Sequence, residues 1–196
     1  MIEIHDITNS VFASKTYILS KEGEDKAWLV DIGDFEPVRS YFQVHNLVPA
    51  GVFITHAHFD HIYGLEALME CYPDCLVYVC EYAKQALASS KLNLSKYQGT
   101  PINFESDHVI VVREGDSMAL YEGEPQMEFY ETPGHNPGCL TMVLGDVVFT
   151  GDAYIPGIGV TTRLPHSDKE LSQISLERIL ELSKGKRILS GHQTEQ

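Results

Sequence analysis

The segment Thr55-His56-Ala57-His58-Phe59-Asp60-His61 places three imidazoles and one carboxylate within six residues. It directly follows the apolar run 51–54, Gly-Val-Phe-Ile, which predicts a short buried strand. A lone histidine is more often structural than a ligand. Three crowded imidazoles are different, because as cations they would repel one another, whereas neutral imidazole is the commonest protein metal ligand. The segment therefore predicts a metal site on the loop after this strand.

Three further candidate ligands follow apolar runs in the same way. His135 lies in a Pro/Gly turn, Asp152 follows Gly151, and His192 follows Gly191. If these strand ends share one rim, five imidazoles and two carboxylates converge there. Seven side chains exceed the needs of one tetrahedral zinc ion. Two metal ions about 3.5–4 Å apart would use them all.

The remaining pattern predicts an α+β protein with one domain over residues 1–196. Residues 1–33 predict an antiparallel hairpin or meander, and residues 34–46 have mixed helical spacing. Five short strands between residues 109 and 149 predict a second sheet. The other predicted elements are helices over residues 65–73, 81–90 and 169–182 and strands over residues 76–79 and 187–189. Two mixed sheets packed face to face with helices outside are the natural layering.

The composition bounds the possible partners and the compartment. With 14 basic and 28 acidic residues the net charge is −14, so nucleic acid and membrane surfaces are poor partners and a small-molecule substrate is expected. The N-terminus lacks a signal-peptide pattern, which favours a cytoplasmic location. The four cysteines are interpreted as small buried thiols rather than a disulfide framework. The oligomeric state is left open.

The ligand pattern resembles that of the metallo-β-lactamase superfamily. The HxHxDH signature matches His56, His58, Asp60 and His61, and the later His, Asp and His match His135, Asp152 and His192. The resemblance implies an αββα sandwich. It places one metal on His56, His58 and His135, and a second on Asp60, His61 and His192. It further implies that Asp152 bridges the two metals and that Asp31 orients the HxHxDH loop through hydrogen bonds.

The same resemblance implies a hydrolase with two Zn²⁺ per chain, although iron and manganese accept these ligands. A hydroxide bridging the metals would attack a small ester, thioester or lactone, with Asp152 as bridging carboxylate and Asp60 steering the nucleophile. Residues 132–138 look most like the glyoxalase II group. The chain ends four residues after His192, and residues 157–162 depart from that group's Gly-x-Gly-Arg-Thr-Asp stretch, so glutathione specificity is not expected. Histidine instead of glutamate at position 58 argues against the oxygen-reducing diiron branch.

Two other functions are kept open. An iron-dependent persulfide dioxygenase would need only the residues matching His56, His135 and Asp152. A binding protein on a degenerate scaffold is disfavoured, because all seven ligand types are present. Candidate substrate contacts are Tyr154 and, in the following Gly/Pro loop, Arg163 and His166. The alternatives are a structural tyrosine and solvated loop side chains, and Cys139 is expected to face inward from a strand.

Overall fold

The structure, a computed structural model, describes residues 1–193 and contains two β-sheets packed face to face. The strands are β1 (Ile2–Thr8), β2 (Lys15–Lys21), β3 (Lys26–Val30), β4 (Val48–Phe53), β5 (Leu76–Val79), β6 (Val109–Val111), β7 (Ser117–Ala119), β8 (Gln126–Glu131), β9 (Leu140–Leu144), β10 (Val147–Gly151) and β11 (Arg187–Ser190). The helices are α1 (Phe35–His45), α2 (Leu65–Cys71), α3 (Glu81–Leu87) and α4 (Lys169–Leu182). Short 3₁₀ turns lie at Phe59–His61 and Ser95–Tyr97.

The first sheet contains six strands that follow one another in chain order, β1 to β6. β1, β2 and β3 pair antiparallel, which confirms the predicted N-terminal meander. β3 to β6 pair parallel. The inner strands of such a sheet are covered on both faces, which explains why their sequences are nearly continuous apolar runs.

The second sheet has the order β11-β10-β9-β8-β7. β7 to β10 pair antiparallel, whereas β11 pairs parallel to β10. A parallel neighbour needs a crossover connection, and α4 with the preceding loop supplies it. Each sheet therefore comes from one continuous part of the chain, residues 2–111 for the first and 117–190 for the second.

One strand was assigned to the wrong sheet from the sequence. β6 pairs parallel to β5, with Val77 opposite Val109, so it completes the first sheet rather than starting the second. Apolar spacing identifies a strand but not its partner, and the pairing here joins segments about 30 residues apart. The predicted helix over 81–90 is also shorter, because α3 ends at Leu87.

Aromatic rings occupy the centre of the core between the sheets. Phe53 of β4 is fully buried, and its ring centroid lies 5.5 Å from Trp28, 5.0 Å from Tyr78 and 5.6 Å from Phe129. Phe129 belongs to β8, so this contact joins the two sheets. The strand that ends at Phe53 is thereby held on both sides immediately before the histidine-rich loop.

The helices lie on the outside of the sheets, as expected for an αββα sandwich. α1 ends at Asn46 in the left-handed conformation, with φ 53°. The side chain of Asp168 caps α4 by accepting hydrogen bonds from two backbone N–H groups of the first turn. Ile179 of α4 packs against Cys139 and Ala153 next to the second sheet.

The cysteines mostly follow the prediction. Cys75, Cys80 and Cys139 are buried free thiols, whereas Cys71 is an exposed free thiol at the end of α2. Among residues 1–193, no helix has both the length and the apolar character needed to cross a membrane.

Candidate metal centre

The loop after β4 turns four polar side chains into the protein interior. The chain leaves the strand at Ile54, whose N–H still donates to the Tyr78 carbonyl at 2.9 Å. It then forms the 3₁₀ turn that contains Asp60 and His61. His56, His58, Asp60 and His61 are all at least 94% buried. Buried imidazoles and carboxylates are costly unless they are paired or bind a metal, so this loop is built for a ligand.

The other three predicted ligands meet this loop at one edge of the two sheets. His135 lies in the turn between β8 and β9, Asp152 follows β10 directly, and His192 follows β11. The potential ligand atoms form three overlapping groups within 4.8 Å: His56, His58 and His135; His56, His61 and Asp152; and Asp60, His61 and His192. The structure thus brings together all seven side chains that the sequence singled out.

The first group consists of three imidazoles. His58 Nδ1 lies 3.1 Å from His56 Nε2 and 3.0 Å from His135 Nε2. Ligand nitrogens around a tetrahedral zinc ion, at about 2.0–2.1 Å from the metal, lie roughly 3.3 Å apart. The three nitrogens therefore have the spacing of one face of a metal site.

The second group combines imidazoles with a carboxylate. Asp60 Oδ2 lies 3.5 Å from His61 Nε2 and 3.4 Å from His192 Nε2. Asp152 lies between the groups, with Oδ2 3.5 Å from His135 Nε2 and 3.1 Å from His192 Nε2, and Oδ1 3.5 Å from His61 Nε2. These separations also match metal-ligand edges, and Asp152 reaches both groups.

Two buried atoms at the centre have no hydrogen-bond partner. They are His61 Nε2 and Asp152 Oδ1. Buried polar atoms are nearly always paired, so two unpaired atoms facing each other point to a ligand for both. A divalent cation satisfies a carboxylate oxygen and an imidazole lone pair together, so the residues fit a metal ion.

Glycine at position 191 is required by this close approach. A Cβ there would lie 2.2 Å from Asp152 Oδ1 and 2.9 Å from His61 Cε1. Any larger residue would displace one of the two side chains.

Asp31 holds the histidine-rich loop in place. It has φ 56°, an uncommon backbone conformation for a non-glycine residue. Its Oδ1 accepts from Thr55 N–H at 2.7 Å, and its Oδ2 accepts from the Thr55 hydroxyl at 2.7 Å and from His61 Nδ1 at 2.9 Å. With the proton on Nδ1, the lone pair of His61 Nε2 faces the metal centre. These are the loop-orienting hydrogen bonds that the sequence predicts for Asp31.

Two orienting groups, both backbone carbonyls, were missed in the sequence. His135 Nδ1 lies 3.0 Å from the Thr161 carbonyl, and His192 Nδ1 lies 2.9 Å from the Phe12 carbonyl. Every residue has a backbone carbonyl, so the sequence does not show which ones accept a hydrogen bond from a histidine. A further contact was also missed: the Asn136 amide nitrogen lies 3.0 Å from His58 Nε2, and as a donor it does not orient the Nδ1 lone pair of His58. The position of Asn136 directly after His135 in a Pro/Gly turn was the available signal.

The ligands differ in protonation before a metal binds. Burial lowers the pKa of His58 to about 3 and holds the pKa of His56 well below its usual value, with help from neighbouring imidazoles. Burial also depresses the pKa of His61, but the carboxylates of Asp60 and Asp152 outweigh it and raise that pKa well above its usual value. Burial raises the pKa of Asp152, but the surrounding imidazoles, His61 first, outweigh burial and keep it far below normal.

A cavity of about 610 Å³ opens in front of these ligands. His58, Asp60, His135, Asp152 and His192 line it together with apolar residues from four loops. The volume is that of a small-molecule site.

The predicted substrate contacts lie elsewhere. Tyr154 packs against the cluster of Cys139, Ala153 and Ile179, and its carbonyl accepts from Thr150. Arg163 and His166 are exposed on the loop before α4. The same loop lines the cavity through three other residues, Thr161, Leu164 and Pro165. The loop that the sequence singled out therefore lines the cavity, but through side chains other than those of Arg163 and His166.

Comparison with known proteins gives one family over almost the whole chain. The model of the metallo-beta-lactamase superfamily matches residues 10–192. The probable metallo-hydrolase YqgX of Bacillus subtilis (strain 168) is 33% identical over 165 residues, which is 82% of this chain and 76% of that protein. A hydroxyacylglutathione hydrolase of Pseudoalteromonas translucida (strain TAC 125) is 30% identical over 146 residues. That match covers 74% of this chain and 48% of the relative, so the chain spans about half the length of that enzyme.

Solved structures share the fold over nearly the full length. The BLEG-1 B3 metallo-beta-lactamase superposes with a TM-score of 0.86 at 27% identity, covering 98% of this chain and 92% of that one. TTHA1623 in a di-iron-bound form superposes with a TM-score of 0.81 at 27% identity, covering 97% and 92%.

Proposed function

The chain belongs to the metallo-beta-lactamase superfamily, and on that premise we propose that it is a hydrolase with two metal ions, in the first instance zinc. Its proposed substrate is a small ester, thioester or lactone. The observation that carries the proposal is the spacing of the seven ligand side chains, whose potential donor atoms lie 3.0–3.5 Å from their neighbours in two groups joined by Asp152.

The residues have separate tasks in this proposal. His56, His58 and His135 would hold one metal, and Asp60, His61 and His192 the other. Divalent metal at such a site supplies Lewis-acid activation of water and of the scissile carbonyl at neutral pH.

The two carboxylates differ in what they can do. Asp152 remains ionised because its pKa is far below normal, with burial outweighed by the surrounding imidazoles. It therefore serves as a ligand shared by both groups and not as a proton donor. Asp60 lines the cavity beside His61 and His192, where its second oxygen can accept a hydrogen bond from the attacking water and orient it.

The substrate class is supported by the relatives. The matched enzyme of Pseudoalteromonas translucida is named a hydroxyacylglutathione hydrolase, and the matched protein of Bacillus subtilis a probable metallo-hydrolase. Hydrolysis is common to both names, and the substrate in the first name, a hydroxyacylglutathione, is a thioester.

The first test is metal content per chain in protein purified without added metal, with hydrolysis of acetyl thioesters and simple lactones measured in parallel. The wild type should hold about two zinc ions, and His58→Ala and His192→Ala should each lose metal and activity. His45→Ala is the control, because His45 is exposed and stacks on Tyr41 away from the centre. One iron per chain that survives both ligand substitutions would overturn the proposal.

That result would favour the persulfide dioxygenase, which needs only three of the ligands. Oxygen uptake with a persulfide substrate would then identify it. The hydrolase is favoured over this alternative because His58, Asp60, His61 and His192 also have ligand spacing. The di-iron form of TTHA1623 makes iron the first metal to test beside zinc.

A further inference from the structure

One part of the cavity is lined by side chains that are not candidate metal ligands. Six apolar or aromatic residues from four separate loops line it, and we call them the apolar wall: Phe12, Phe59, Leu94, Tyr97, Leu164 and Pro165. Tyr97 is 63% exposed and Phe12 64% exposed, so large apolar surfaces face solvent beside a buried polar centre. Such exposed apolar patches mark binding surfaces.

The apolar wall is held in a fixed shape. Leu94 has φ 66°, a strained conformation for a leucine. The neighbouring Asn93 is fully buried, and its side chain makes four hydrogen bonds that hold this turn. The Asn93 carbonyl also accepts from Phe59 N–H at 2.9 Å, which ties the turn to the loop that carries the metal ligands. The position of Leu94 is therefore set relative to the reacting centre.

Phe12 completes the apolar wall from the other side. It stands at the tip of the β1–β2 hairpin with φ 53°, and its ring makes an edge-to-face contact with Phe59 at 5.6 Å. Its carbonyl orients His192, so the same residue contributes to the wall and supports a metal ligand.

The cavity offers no lysine or arginine side chain to a charged substrate. Among the lining residues that the structure describes there is no lysine or arginine, whereas two carboxylates, Asp60 and Asp152, are present. An anionic group placed along the wall would lose its hydration without gaining a partner. A neutral apolar group would gain from leaving water.

We propose that the apolar wall binds the acyl chain of the substrate, and that the enzyme hydrolyses esters or thioesters with neutral apolar acyl chains rather than with anionic acyl chains. This inference rests on the proposed hydrolase function. In the thioester reaction the acyl carbon–sulfur bond breaks and a bond forms from the water oxygen to that carbon. One proton passes to the thiolate, and the products are the carboxylic acid and the thiol.

The test is a series of thioesters on one neutral thiol, with acetyl, butyryl, hexanoyl and succinyl groups, on the metal-loaded protein. Each added methylene should raise kcat/KM about two- to fourfold, so hexanoyl should exceed acetyl by about 16-fold or more. Succinyl, which has the length of butyryl plus a charge, should be at least about tenfold slower than butyryl. Equal rates along the series, or succinyl faster than butyryl, would overturn the inference.

Variants of the apolar wall test whether its residues cause the dependence of kcat/KM on acyl chain length. Leu94→Asn keeps a residue that tolerates positive φ while removing the apolar side chain, and Tyr97→Ala removes the exposed ring. Each should lower kcat/KM for hexanoyl by about tenfold and change acetyl less than about twofold. Ile174→Ala is the matched control, because Ile174 is also 63% exposed but lies on α4 outside the cavity. A uniform loss on all substrates would refute acyl binding by these residues.

A binding measurement separates this inference from the proposed function. Calorimetric titration of the metal-free protein with hexanamide and with succinamate should show binding of the neutral amide only, weakened in Tyr97→Ala. If the metal-loaded protein hydrolyses no ester or thioester, the proposed function fails, and the amide titration still decides whether the wall binds apolar groups. If acetyl is hydrolysed but chain length has no effect, only the acyl-binding inference fails.

Discussion

Replacing Asp31 by asparagine should weaken metal binding selectively at one ligand group, that of Asp60, His61 and His192. Asparagine has the same shape and tolerates the positive φ of this position. Its oxygen must face Thr55 N–H, since an amide nitrogen there would oppose another donor. The amide nitrogen then faces His61 Nδ1, which now lies 2.9 Å from an Asp31 oxygen. A donor at that place forces the imidazole proton onto Nε2, the atom that faces the metal centre.

The expected loss of metal affinity follows from the role of Asp31 as a hydrogen-bond partner of His61. Loss of a hydrogen-bond partner behind a metal-ligating histidine costs about 10- to 100-fold in metal affinity. At about 1.36 kcal/mol per factor of ten, this weakens metal binding by roughly 1.4–2.7 kcal/mol. The loss should fall on the group of Asp60, His61 and His192. The group of His56, His58 and His135 should lose less affinity, because none of its imidazoles contacts Asp31 directly and only His56 is linked to it, through the Thr55 hydroxyl 3.2 Å from His56 Nδ1.

Competition with a chromophoric chelator at neutral pH resolves the two dissociation constants. Asp34→Asn is the control, because the Asp34 carboxylate also accepts three hydrogen bonds, from the backbone and hydroxyl of Ser10 and from Tyr63, but contacts no ligand. Unchanged affinity in Asp31→Asn, equal loss from both groups, or the same loss in Asp34→Asn would refute the reasoning.

Three further predictions concern pH, space and packing. The raised pKa of His61, in which the carboxylates outweigh burial, means that a metal must displace its proton, whereas His58, with a pKa of about 3, is already neutral at pH 7. Burial also depresses the pKa of His192, but Asp152 outweighs it and raises that pKa. Lowering the pH from about 8 to 6 should therefore weaken metal binding by the group of Asp60, His61 and His192 by up to about tenfold per pH unit for each proton displaced, and leave metal binding by the three-imidazole group nearly unchanged. A parallel loss from both groups in chelator competition would contradict this. Gly191→Ala should abolish binding of at least one metal by elemental analysis, because its Cβ would lie 2.2 Å from Asp152 Oδ1. Phe53→Ala should lower the free energy of unfolding by about 3–5 kcal/mol in urea titrations, and a loss under about 1 kcal/mol would show that the core between the sheets does not depend on this ring.

The sequence allowed the ligand cluster to be predicted because its evidence is local. His56, His58, Asp60 and His61 follow an apolar run directly, and α4 begins and ends at the predicted residues, Lys169 and Leu182. The expectation that strand ends meet at one edge of the sheets then placed His135, Asp152 and His192 beside them. These features depend on short-range spacing and on layer packing, both of which a sequence records.

The remaining features depend on contacts between distant segments. The partner of β6 is decided by β5 across a long connection, and the apolar spacing is the same whichever sheet it joins. Leu94 and Tyr97 reach the cavity because Asn93 anchors their turn to residues 86 and 102 and to the loop at Phe59. Tyr154 is close to Asp152 in sequence, but its side chain packs on the cluster near α4. Proximity along the chain was a poor guide to proximity at the site.

Because the two sheets come from consecutive parts of the chain, the ligand residues of the two groups are synthesised in a fixed order. The ribosome releases His56 and His58 with the first sheet, and His135 completes the three-imidazole group before Asp152 and His192 exist. His192 is made 57 residues after His135, which takes about 3–11 s at about 5–20 residues per second. During that interval the chain carries all three imidazoles of one group but only Asp60 and His61 of the other, so the ligand set of the second group is the last to be completed.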